Sequence, residues 1–290
     1  DSLTAINALS AGEIDYLEQV QIDLLPILSS NPDVTVEKRD QLGYVAVGRP
    51  NFLLPPFDNQ LIRQAAMAAL DQESMLATMQ GDPEYYNVCG AIFGCSTPLG
   101  SEAGSEDLTG GANIEKAKAL LEEAGYDGTP ITLMAPTDVV SLINQPVVAA
   151  QALREAGFEV DLQSMDWQSV VQRRAQQNPV SEGGWNLFFT GWGFVDQSNP
   201  MTNVYVAGDC DNGWFGWACS EELQELRKQF AEAEDPEVKK ALAEKMQIRT
   251  HDLVSYVPLG QSFPSQGIAT NLEGFIESPV PFFWEVQRTQ

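Results

Sequence analysis

The chain has 290 residues, 43 % of them hydrophobic, which is enough to bury a large core and argues against global disorder. Its 16 basic and 41 acidic residues give a net charge of −25 at pH 7. Such a surface repels phosphate groups, so neither nucleic acid nor an anionic membrane is an expected partner. Most of the acids are expected on a solvated surface, where high external salt would screen their repulsion.

The first 112 residues begin with short helices and strands and then lose their periodicity. The pattern predicts helices over 2–11 and 21–29 and strands over 34–36 and 44–47. Pro50 to Pro56 is rich in breakers and is a candidate hinge. Asp58 is the predicted N-cap of a helix that runs to Leu70. Residues 81–112 are rich in glycine, and their lack of periodicity predicts a long loop.

From Asn113 onward, strands and helices alternate. The predicted elements are helices over 114–124, 144–156 and 167–176 and strands over 131–134, 160–163 and 185–190. Gly125 and Gly157 follow two of the helices and act as stop signals. This alternation indicates an α/β fold with a partly parallel sheet.

The last 70 residues contain charged helices and then return to strand-like segments. The predicted elements are helices over 220–232 and 236–253 and strand-like segments at 256–259, 266–269 and 279–284. The sequence has no apolar run of about 18 residues, the length that predicts a transmembrane helix, and no signal peptide. Ser2 to Ala11 reads as a helix already under way, so we expect the chain to be a piece of a longer protein.

Four cysteines lie in two glycine- and aromatic-rich segments, Cys89 with Cys95 and Cys210 with Cys219. Four cysteines allow three pairings, and pairing within each segment is favoured because both loops are short. Each such disulfide would contribute roughly 2–3 kcal/mol and would indicate an oxidising compartment. The spacings do not fit a zinc site, and His251 is the only histidine, so no metal is expected.

The usual catalytic motifs are missing. The sequence has no GxSxG, no GxGxxG and no Walker A motif. His251 lies within a predicted helix, where a packing or surface role is expected. A carboxylate pair for glycoside hydrolysis remains open, since the chain has 41 acids, but nothing selects two of them. We therefore expect no catalysis and no cofactor.

The segment around Trp192 and Asp196 is the candidate ligand site. Both residues follow the predicted strand 185–190, and in open α/β sheets ligands bind beyond the carboxyl ends of strands. A carboxylate there can pair with an ammonium group, while indole faces supply apolar and cation–π contacts. The alternative is that Trp192 packs in the core and Asp196 caps the next turn. Five tryptophans within a 51-residue span favour a pocket, namely residues 167, 185, 192, 214 and 217.

Several motifs together are similar to those of one protein family. They are Ala8–Asp15, Pro55–Asp58 with Ile62–Ala65, Asn113–Tyr126, Asp166–Trp167, and Gly191–Trp192 with Asp196 and Pro200, followed by the Cys210 and Cys219 pair. In this order they resemble the extracellular solute-binding proteins of peptide-type ABC importers, the family 5 dipeptide, oligopeptide and nickel class. The resemblance spans nearly the whole chain but covers only the C-terminal half of such a protein.

The resemblance implies an α/β, periplasmic-binding-protein-like fold (class II, type C) that comprises the C-terminal lobe and partial pieces of the other lobe. Residues 1–50 are then part of lobe I, with a crossing to lobe II near 48–57. Residues 51–256 form the C-terminal ligand-binding lobe, and residues 257–290 are a return segment of lobe I.

The resemblance also implies ligand contacts. In peptide-binding members, an aspartate of the GW-x-x-D-x-x-x-P loop pairs with the peptide's α-ammonium. Asp196 occupies that place when counted back from Pro200, although counting forward from Trp192 leaves one extra residue. Trp192, Trp167 and Asn199 are the accompanying predicted ligand contacts.

The arginine that usually binds the ligand carboxylate in dipeptide binders of the family is missing from the expected place in this sequence. Dipeptide binders of the family use an arginine in the region that reads Leu142–Gln145 here, where no arginine is present. Arg173 is the predicted substitute, with Arg174 beside it, and an exposed helix face is the alternative for both. This departure argues against a simple dipeptide specificity.

The function that the resemblance implies is the solute-binding component of an ABC importer. It would capture a small peptide or another amine-bearing solute between two lobes, without catalysis, and deliver it to a membrane permease. The expected location is the periplasm or the outer surface of the membrane. The alternatives are a hydrolase that uses an unrecognised carboxylate pair, and a sensor or chaperone built on the same fold.

Overall fold

The computed structural model describes residues 2–38, 40–278 and 280–289. Its strands are β1 (Tyr16–Leu17), β2 (Val34–Glu37), β3 (Tyr44–Pro50), β4 (Tyr86–Asn87), β5 (Ile131–Pro136), β6 (Val160–Met165), β7 (Leu187–Gly193), β8 (Val257–Ser262), β9 (Gln266–Ala269), β10 (Leu272–Glu273) and β11 (Gln287–Arg288). Its α-helices are α1 (Ser2–Ser10), α2 (Leu25–Ser29), α3 (Gln60–Ala69), α4 (Gln72–Gln80), α5 (Glu106–Thr109), α6 (Ile114–Glu123), α7 (Gln145–Glu155), α8 (Trp167–Arg173), α9 (Phe194–Gln197), α10 (Glu221–Glu232) and α11 (Pro236–Leu253). None of these helices combines the length and the apolar character that crossing a membrane requires.

The predicted α/β alternation is confirmed, and local signals explain it. The Asn113 side chain accepts a hydrogen bond from Lys116 N at 3.0 Å and so caps α6. Gly125 and Gly157 have positive φ angles of 66° and 101°, as expected of glycines that end helices.

Some predicted boundaries are wrong. Asn59, rather than Asp58, caps α3, because its side chain accepts a hydrogen bond from Leu61 N. Helix α8 ends at Arg173, and β7 begins at Leu187. The predicted apolar strand in the tail is not a strand between residues 280 and 284, and Pro279 lies outside the described residues.

Within the described residues, a six-stranded sheet has the order β4-β8-β3-β7-β5-β6. Strand β5 is parallel to both β6 and β7, whereas β3 is antiparallel to both β7 and β8. Strands β5, β6, β7 and β8 therefore point the same way. The carboxyl ends of these four strands and the amino end of β3 lie along the same end of the sheet. We call this end the carboxyl edge.

Both faces of this sheet are covered. One face packs against apolar side chains of α3, α4, α6 and α7, among them Ala65, Met75, Ala117 and Leu153. The opposite face packs against α8, α10, α11 and the segment before Cys219, through residues such as Val170, Trp217, Leu226 and Met246. Adjacent residues of a strand point to opposite faces, so Leu187 and Phe188 join different clusters.

A second, three-stranded sheet of order β1-β9-β2 packs with α1 and α2 around a small core of its own. The chain passes from this sheet to the large one between β2 and β3, and returns between β8 and β9. Both passages lie at the carboxyl edge. Since β3 and β8 belong to the large sheet, residues 44–50 and 257–262 lie with it, although the predicted division at 50 and 256 assigned them to the other lobe.

The predicted cysteine pairing is confirmed. Disulfides join Cys89 to Cys95 and Cys210 to Cys219. The long segment between Gly81 and Ala112 is further tied to α11, where the Gln247 side chain bonds to Ile92 N, Gly90 O and Ala103 O. The segment is thus an ordered loop with a short helix, α5.

His251 also contacts this loop and is buried. Its Nε2 lies 3.0 Å from Gly90 O, whereas its Nδ1 is buried without a hydrogen-bond partner among the described residues. Burial lowers the pKa of His251 from its ordinary value of 6.5. Of the two predicted roles, packing or surface, these contacts fit packing.

We expect His251 to reduce the stability of the fold in acid. Because its pKa is lower in the folded state, its contribution is complete above about pH 6.5 and is lost as the pH falls below that value. The chain has one histidine, so its imidazole C2–H resonance is unique in a proton NMR titration. A titration midpoint below 6.5 is expected, and a midpoint at or above 6.5 would contradict this.

Gly191 allows β7 to pack closely against β3. A Cβ atom at this position would lie 2.1 Å from the Tyr44 hydroxyl oxygen and 2.2 Å from the carbon that bears it. The Tyr44 ring therefore covers the strand one residue before Trp192. Gly193, two residues further on, has no such neighbour, since its Cβ would meet nothing closer than 3.8 Å.

We predict that Gly191→Ala destabilises the fold by roughly 1–3 kcal/mol, the usual cost of forcing an added methyl group into a packed site. Gly193→Ala is the matched control, because it adds the same methyl group to the same strand where the nearest atoms lie at ordinary van der Waals distance. Urea unfolding of both variants measures the difference. Equal stability of the two variants would mean that Tyr44 moves away without cost.

Candidate functional site

The carboxyl edge brings together side chains that are distant in sequence. Trp192 is near the end of β7, Asp196 lies in α9 immediately beyond it, and Trp167 begins α8 just after β6. Asp138 follows β5, and its Oδ1 accepts a hydrogen bond from Trp167 N at 2.7 Å. The loops after β5 and β6 are therefore joined at the edge where the predicted ligand residues lie.

Trp192 is not a core residue. Its side chain is 38 % exposed, although Phe188 of the same strand is fully buried. On the adjacent strand β3 its paired residue is Val45. On its own strand it follows Gly191, which the Tyr44 ring covers. Burial raises the pKa of Tyr44 to about 12, an effect that a hydrogen bond with the Ser141 side chain opposes. Tyr44 thus stays neutral, and it packs on the face of the sheet opposite to Trp192, because Trp192 pairs with Val45, the next residue of β3.

Asp196 presents a carboxylate to solvent. Among the described residues, no side-chain hydrogen bond or ion pair to this carboxylate is found; only its backbone oxygen accepts a bond, from Thr202 Oγ1 at 2.8 Å. The side chain therefore does not cap the turn, and it is available for a cation. Asn199, in contrast, uses its Oδ1 to accept a bond from Met201 N at 2.9 Å, so it shapes the turn itself.

Arg173 is engaged inside the fold. Its Nε donates to Gly183 O at 2.9 Å, its Nη2 donates to Gly184 O at 2.7 Å, and its Nη1 donates to the Gln163 side chain. These bonds connect α8 to the segment that leads into β7. The contacts favour a structural role for Arg173 over contact with a ligand.

Arg174 has different surroundings. Its guanidinium carbon lies between 4.8 and 5.9 Å from the centroids of four aromatic rings. We call this group the aromatic enclosure, defined by Trp167, Phe188, Trp214 and Phe215. The backbone oxygen of Arg174 accepts a bond from the Trp185 indole at 3.2 Å, which fixes the end of α8.

Arg49 bonds to the backbone of two residues of the aromatic enclosure. It is fully buried, and its guanidinium donates to Phe215 O at 2.7 Å, Ser255 O at 2.6 Å and Trp214 O at 3.4 Å. Burial lowers the pKa of Arg49 to about 10, so it remains charged at neutral pH. Gly216, with φ at 100°, passes so close to Arg49 that a Cβ there would lie 2.6 Å from Nε. Arg49 therefore fixes the backbone that carries Trp214 and Phe215.

The comparison with known families identifies the group to which this chain belongs. The family model described as bacterial extracellular solute-binding proteins, family 5 Middle, matches residues 1–215. The chain belongs to the bacterial extracellular solute-binding proteins of family 5. The predicted resemblance is thereby confirmed.

Named relatives of this family 5 chain are consistent with that assignment. A probable peptide ABC transporter periplasmic-binding protein of Sinorhizobium fredii is 34 % identical over 288 residues, which cover 99 % of this chain and 54 % of the relative. The oligopeptide-binding protein AppA of Bacillus subtilis is 24 % identical over 251 residues, or 80 % of this chain and 44 % of that protein. The chain thus spans about half the length of the curated relatives it matches.

Solved structures confirm the periplasmic-binding-protein fold. A dipeptide-binding protein of Pseudoalteromonas sp. SM9913, crystallised with Met-Leu, superposes with a TM-score of 0.83 at 19 % identity, over 100 % of this chain and 57 % of that one. At this level of identity the similarity establishes the fold alone.

Sequence reasoning about this family 5 chain missed the supporting residues of the site. The burial of Arg49 was predictable from the sequence. Val45, Val47 and Arg49 alternate along β3 and so share one buried face. Tyr44 and Trp214 had no comparable signal, since their neighbours come from remote segments. The adjacent arginines 173 and 174 differ only in which acceptors the fold places nearby.

We predict that Arg49→Met destabilises the protein by roughly 3 kcal/mol or more, because three carbonyl oxygens, one buried and two partly buried, lose their donor at about 1–3 kcal/mol each. Arg154→Met is the matched control, since Arg154 is exposed and its guanidinium bonds to Val160 O alone among the described residues. Chemical unfolding followed by tryptophan fluorescence measures both variants. If Arg49→Met is no less stable than Arg154→Met, the buried network is not a source of stability.

Proposed function

We propose that this chain forms one wall of the solute site in the binding protein of an ABC importer. The solute is a small peptide or another amine-bearing molecule, and it is captured without chemical change. The observation that carries the proposal is the solvent-facing carboxylate of Asp196 beside the accessible indole of Trp192, at the carboxyl edge of the sheet.

The chemistry of these two groups supports an ammonium ligand. A carboxylate that lacks a partner in the fold can accept charge-assisted hydrogen bonds from a ligand without breaking an existing ion pair. The Trp192 ring supplies an apolar face, and an indole also attracts cations. Asn199 Oδ1 supports the turn after the helix that contains Asp196, because it accepts a hydrogen bond from Met201 N.

The arrangement of the two sheets supports capture between lobes. The small sheet lies at the carboxyl edge, where both passages between the sheets occur, so the proposed site faces the junction. We retain the two-lobe division as a proposal, with residues 44–262 in the ligand-binding lobe. The segments before residue 38 and after residue 265 then belong to lobe I.

The proposed partner and location follow from the family. The Sinorhizobium relative is described as a periplasmic-binding protein of a peptide ABC transporter, which supports a permease partner and a periplasmic or extracellular location here. Two disulfides also fit an oxidising compartment. Among the solved relatives, a NikA of Staphylococcus aureus was crystallised with Ni(L-His)2, so solutes other than peptides belong in any ligand screen.

No specific observation favours the hydrolase, sensor or chaperone alternatives. The exposed acids Asp196 and Asp138 already have distinct surroundings, since Asp138 is bonded to Trp167 N. We propose that binding leaves the solute intact. Recovery of unchanged ligand after prolonged incubation supports this, and product formation would favour a hydrolase.

We predict that Asp196→Asn weakens the binding of Ala-Ala-Ala by about 1–3 kcal/mol in the natural full-length protein, because the ammonium loses its charge-assisted acceptor. Isothermal titration calorimetry measures the affinity. Asp211→Asn is the matched control, since Asp211 is also an exposed acid and lies outside the proposed site.

N-acetyl-Ala-Ala-Ala separates this effect from a general loss of charge. Acetylation removes the ammonium, so it should weaken binding to the unsubstituted protein and have little further effect on Asp196→Asn. Equal affinities of Asp196→Asn and Asp211→Asn for Ala-Ala-Ala would exclude Asp196 from the site.

A further inference from the structure

A cavity of about 560 Å³ lies at the end of the large sheet that is opposite the carboxyl edge. Its walls come from the segment after β3, the starts of β5 and β6, and the segment that leads into β7. We call it the amino-end cavity, defined by Leu54, Pro55, Pro130, Asp161, Pro179 and Val180. Its volume falls within the roughly 300–1,000 Å³ that is usual for sites that bind small molecules.

The amino-end cavity is separate from the proposed solute site. Pro130 comes just before β5, whereas Asp138 follows that strand at the carboxyl edge. The residues of β5 rise about 3.3 Å each, so a distance on the order of 20 Å lies between the two ends. A molecule in the cavity therefore leaves the carboxyl edge free.

Most of the wall is apolar and reaches solvent. Pro55, Pro130 and Pro179 are exposed, and Val180 is 36 % exposed. Proline and valine side chains have few rotamers to lose, so little conformational entropy opposes a ligand that packs on them. This wall suits a ligand with an apolar body.

The buried side chain of Asn186 holds two walls of the cavity together. Its Nδ2 donates to Pro55 O at 2.8 Å, and its Oδ1 accepts a hydrogen bond from Thr132 N at 2.9 Å. The wall of residues 179–181 is held by Arg173, which donates to the backbone just beyond it. The cavity is thus formed in advance, which lowers the entropic cost of binding.

One carboxylate stands at the rim of the cavity. Asp161 Oδ2 accepts a hydrogen bond from Gln163 Nε2 at 2.6 Å, and Gln163 in turn accepts one from Arg173. Arg173 interacts with Asp161 electrostatically, but the described residues form no ion pair with Asp161 and no hydrogen bond to its Oδ1. The carboxylate is therefore oriented by the fold and keeps one oxygen for a ligand.

A buried hydroxyl lies beside this carboxylate. Thr132 pairs with Asp161 across β5 and β6, so the two side chains share one face of the sheet. Thr132 is 1 % exposed and lines the cavity, and its hydroxyl makes no hydrogen bond with the described residues. A buried polar group without a partner is unfavourable, and a ligand atom in the cavity can supply that partner.

We propose that the amino-end cavity is a second binding site, which takes an apolar organic monocation. The apolar body packs on the proline and valine wall, and the ammonium group donates to the Asp161 carboxylate and to the Thr132 hydroxyl. The net charge of −25 attracts cations and repels anions, and no basic residue is among the described residues that line the cavity. This site goes beyond the proposed function, on which it does not depend.

The test uses the natural full-length protein with ¹³C-methyl-labelled valine. The probe is 1-adamantanemethylamine, a rigid apolar monocation. Val180 reports on the cavity, and Val195, which is exposed beside Asp196, reports on the solute site. Their resonances are assigned by their loss in Val180→Ile and Val195→Ile. We expect the amine to shift the Val180 resonance saturably and to leave the Val195 resonance in place.

Two relatives of the probe test the need for a positive charge. They are 1-adamantanemethanol, which is neutral, and 1-adamantanecarboxylate, which is an anion. We expect the alcohol to bind more weakly than the amine and the anion to bind most weakly. The inference is overturned if the amine does not shift Val180, if the shift does not saturate, or if the alcohol binds as tightly as the amine.

Variants of the two polar residues provide a second measurement. Asp161→Asn should weaken binding of the amine about threefold to fivefold, the effect of one partly exposed ion pair, and should reduce the preference for the amine over the alcohol. Asp211→Asn is the matched control, because Asp211 is an exposed acid outside the cavity. Thr132→Val should also weaken binding, whereas Thr132→Ser keeps the hydroxyl and should restore it. Full affinity in Asp161→Asn or in Thr132→Val would contradict the proposed site.

Competition with Ala-Ala-Ala distinguishes this site from the solute site. Saturating Ala-Ala-Ala should leave the Val180 shift unchanged, and displacement of the amine by the peptide would overturn the inference. If Ala-Ala-Ala does not bind at all, the proposed function fails, while a saturable and charge-selective shift of Val180 still supports the amino-end cavity.

Discussion

A buried positive charge that has no carboxylate partner among the described residues organises one face of this protein. Arg49 lies near the carboxyl end of β3. Its guanidinium donates hydrogen bonds to the backbone oxygens of Trp214, Phe215 and Ser255. Burying a charge is unfavourable unless hydrogen bonds compensate for the lost water. The segment before Cys219 follows a path that keeps two of its carbonyl oxygens on this guanidinium, and a path without these bonds would leave the charge less well compensated. The rings that line the face of β7 are fixed as a result.

The direction of the strands explains why remote loops meet. Because β5, β6, β7 and β8 are parallel, the segments that follow them emerge at one edge. The disulfide from Cys210 to Cys219 closes the neighbouring loop locally. The proposed recognition groups at this edge, Trp192 and Asp196, thus lie at or just beyond the end of a strand of the sheet.

Local patterns in the sequence predicted most of the helices and central strands. Helix α6 is bounded by Asn113 and Gly125, and both of these signals act within a few residues. The place of β8 in the large sheet was not predictable in this way, since its partner β3 lies about 200 residues earlier in the chain. Family motifs pointed to Asp196 and Trp192, which stay proposed ligand residues. Two adjacent arginines, however, are equivalent in a sequence, and only the positions of Gly183 and Gly184 distinguish them.

The buried and engaged arginines also affect the electrostatic field that an approaching solute meets at the protein surface. Arg49 and Arg63 are almost fully buried, and Arg173 is engaged with backbone oxygens, so these three of the 16 basic residues do little to offset the 41 acids at the surface. At a distance of several ångströms the field favours cations, and it repels an anionic solute before any specific contact forms. Association of a carboxylate-bearing solute should therefore become faster as salt shortens the range of this field, whereas dissociation depends on the short-range contacts inside. For the proposed solute, the capture rate and the residence time would then be controlled by different parts of the molecule.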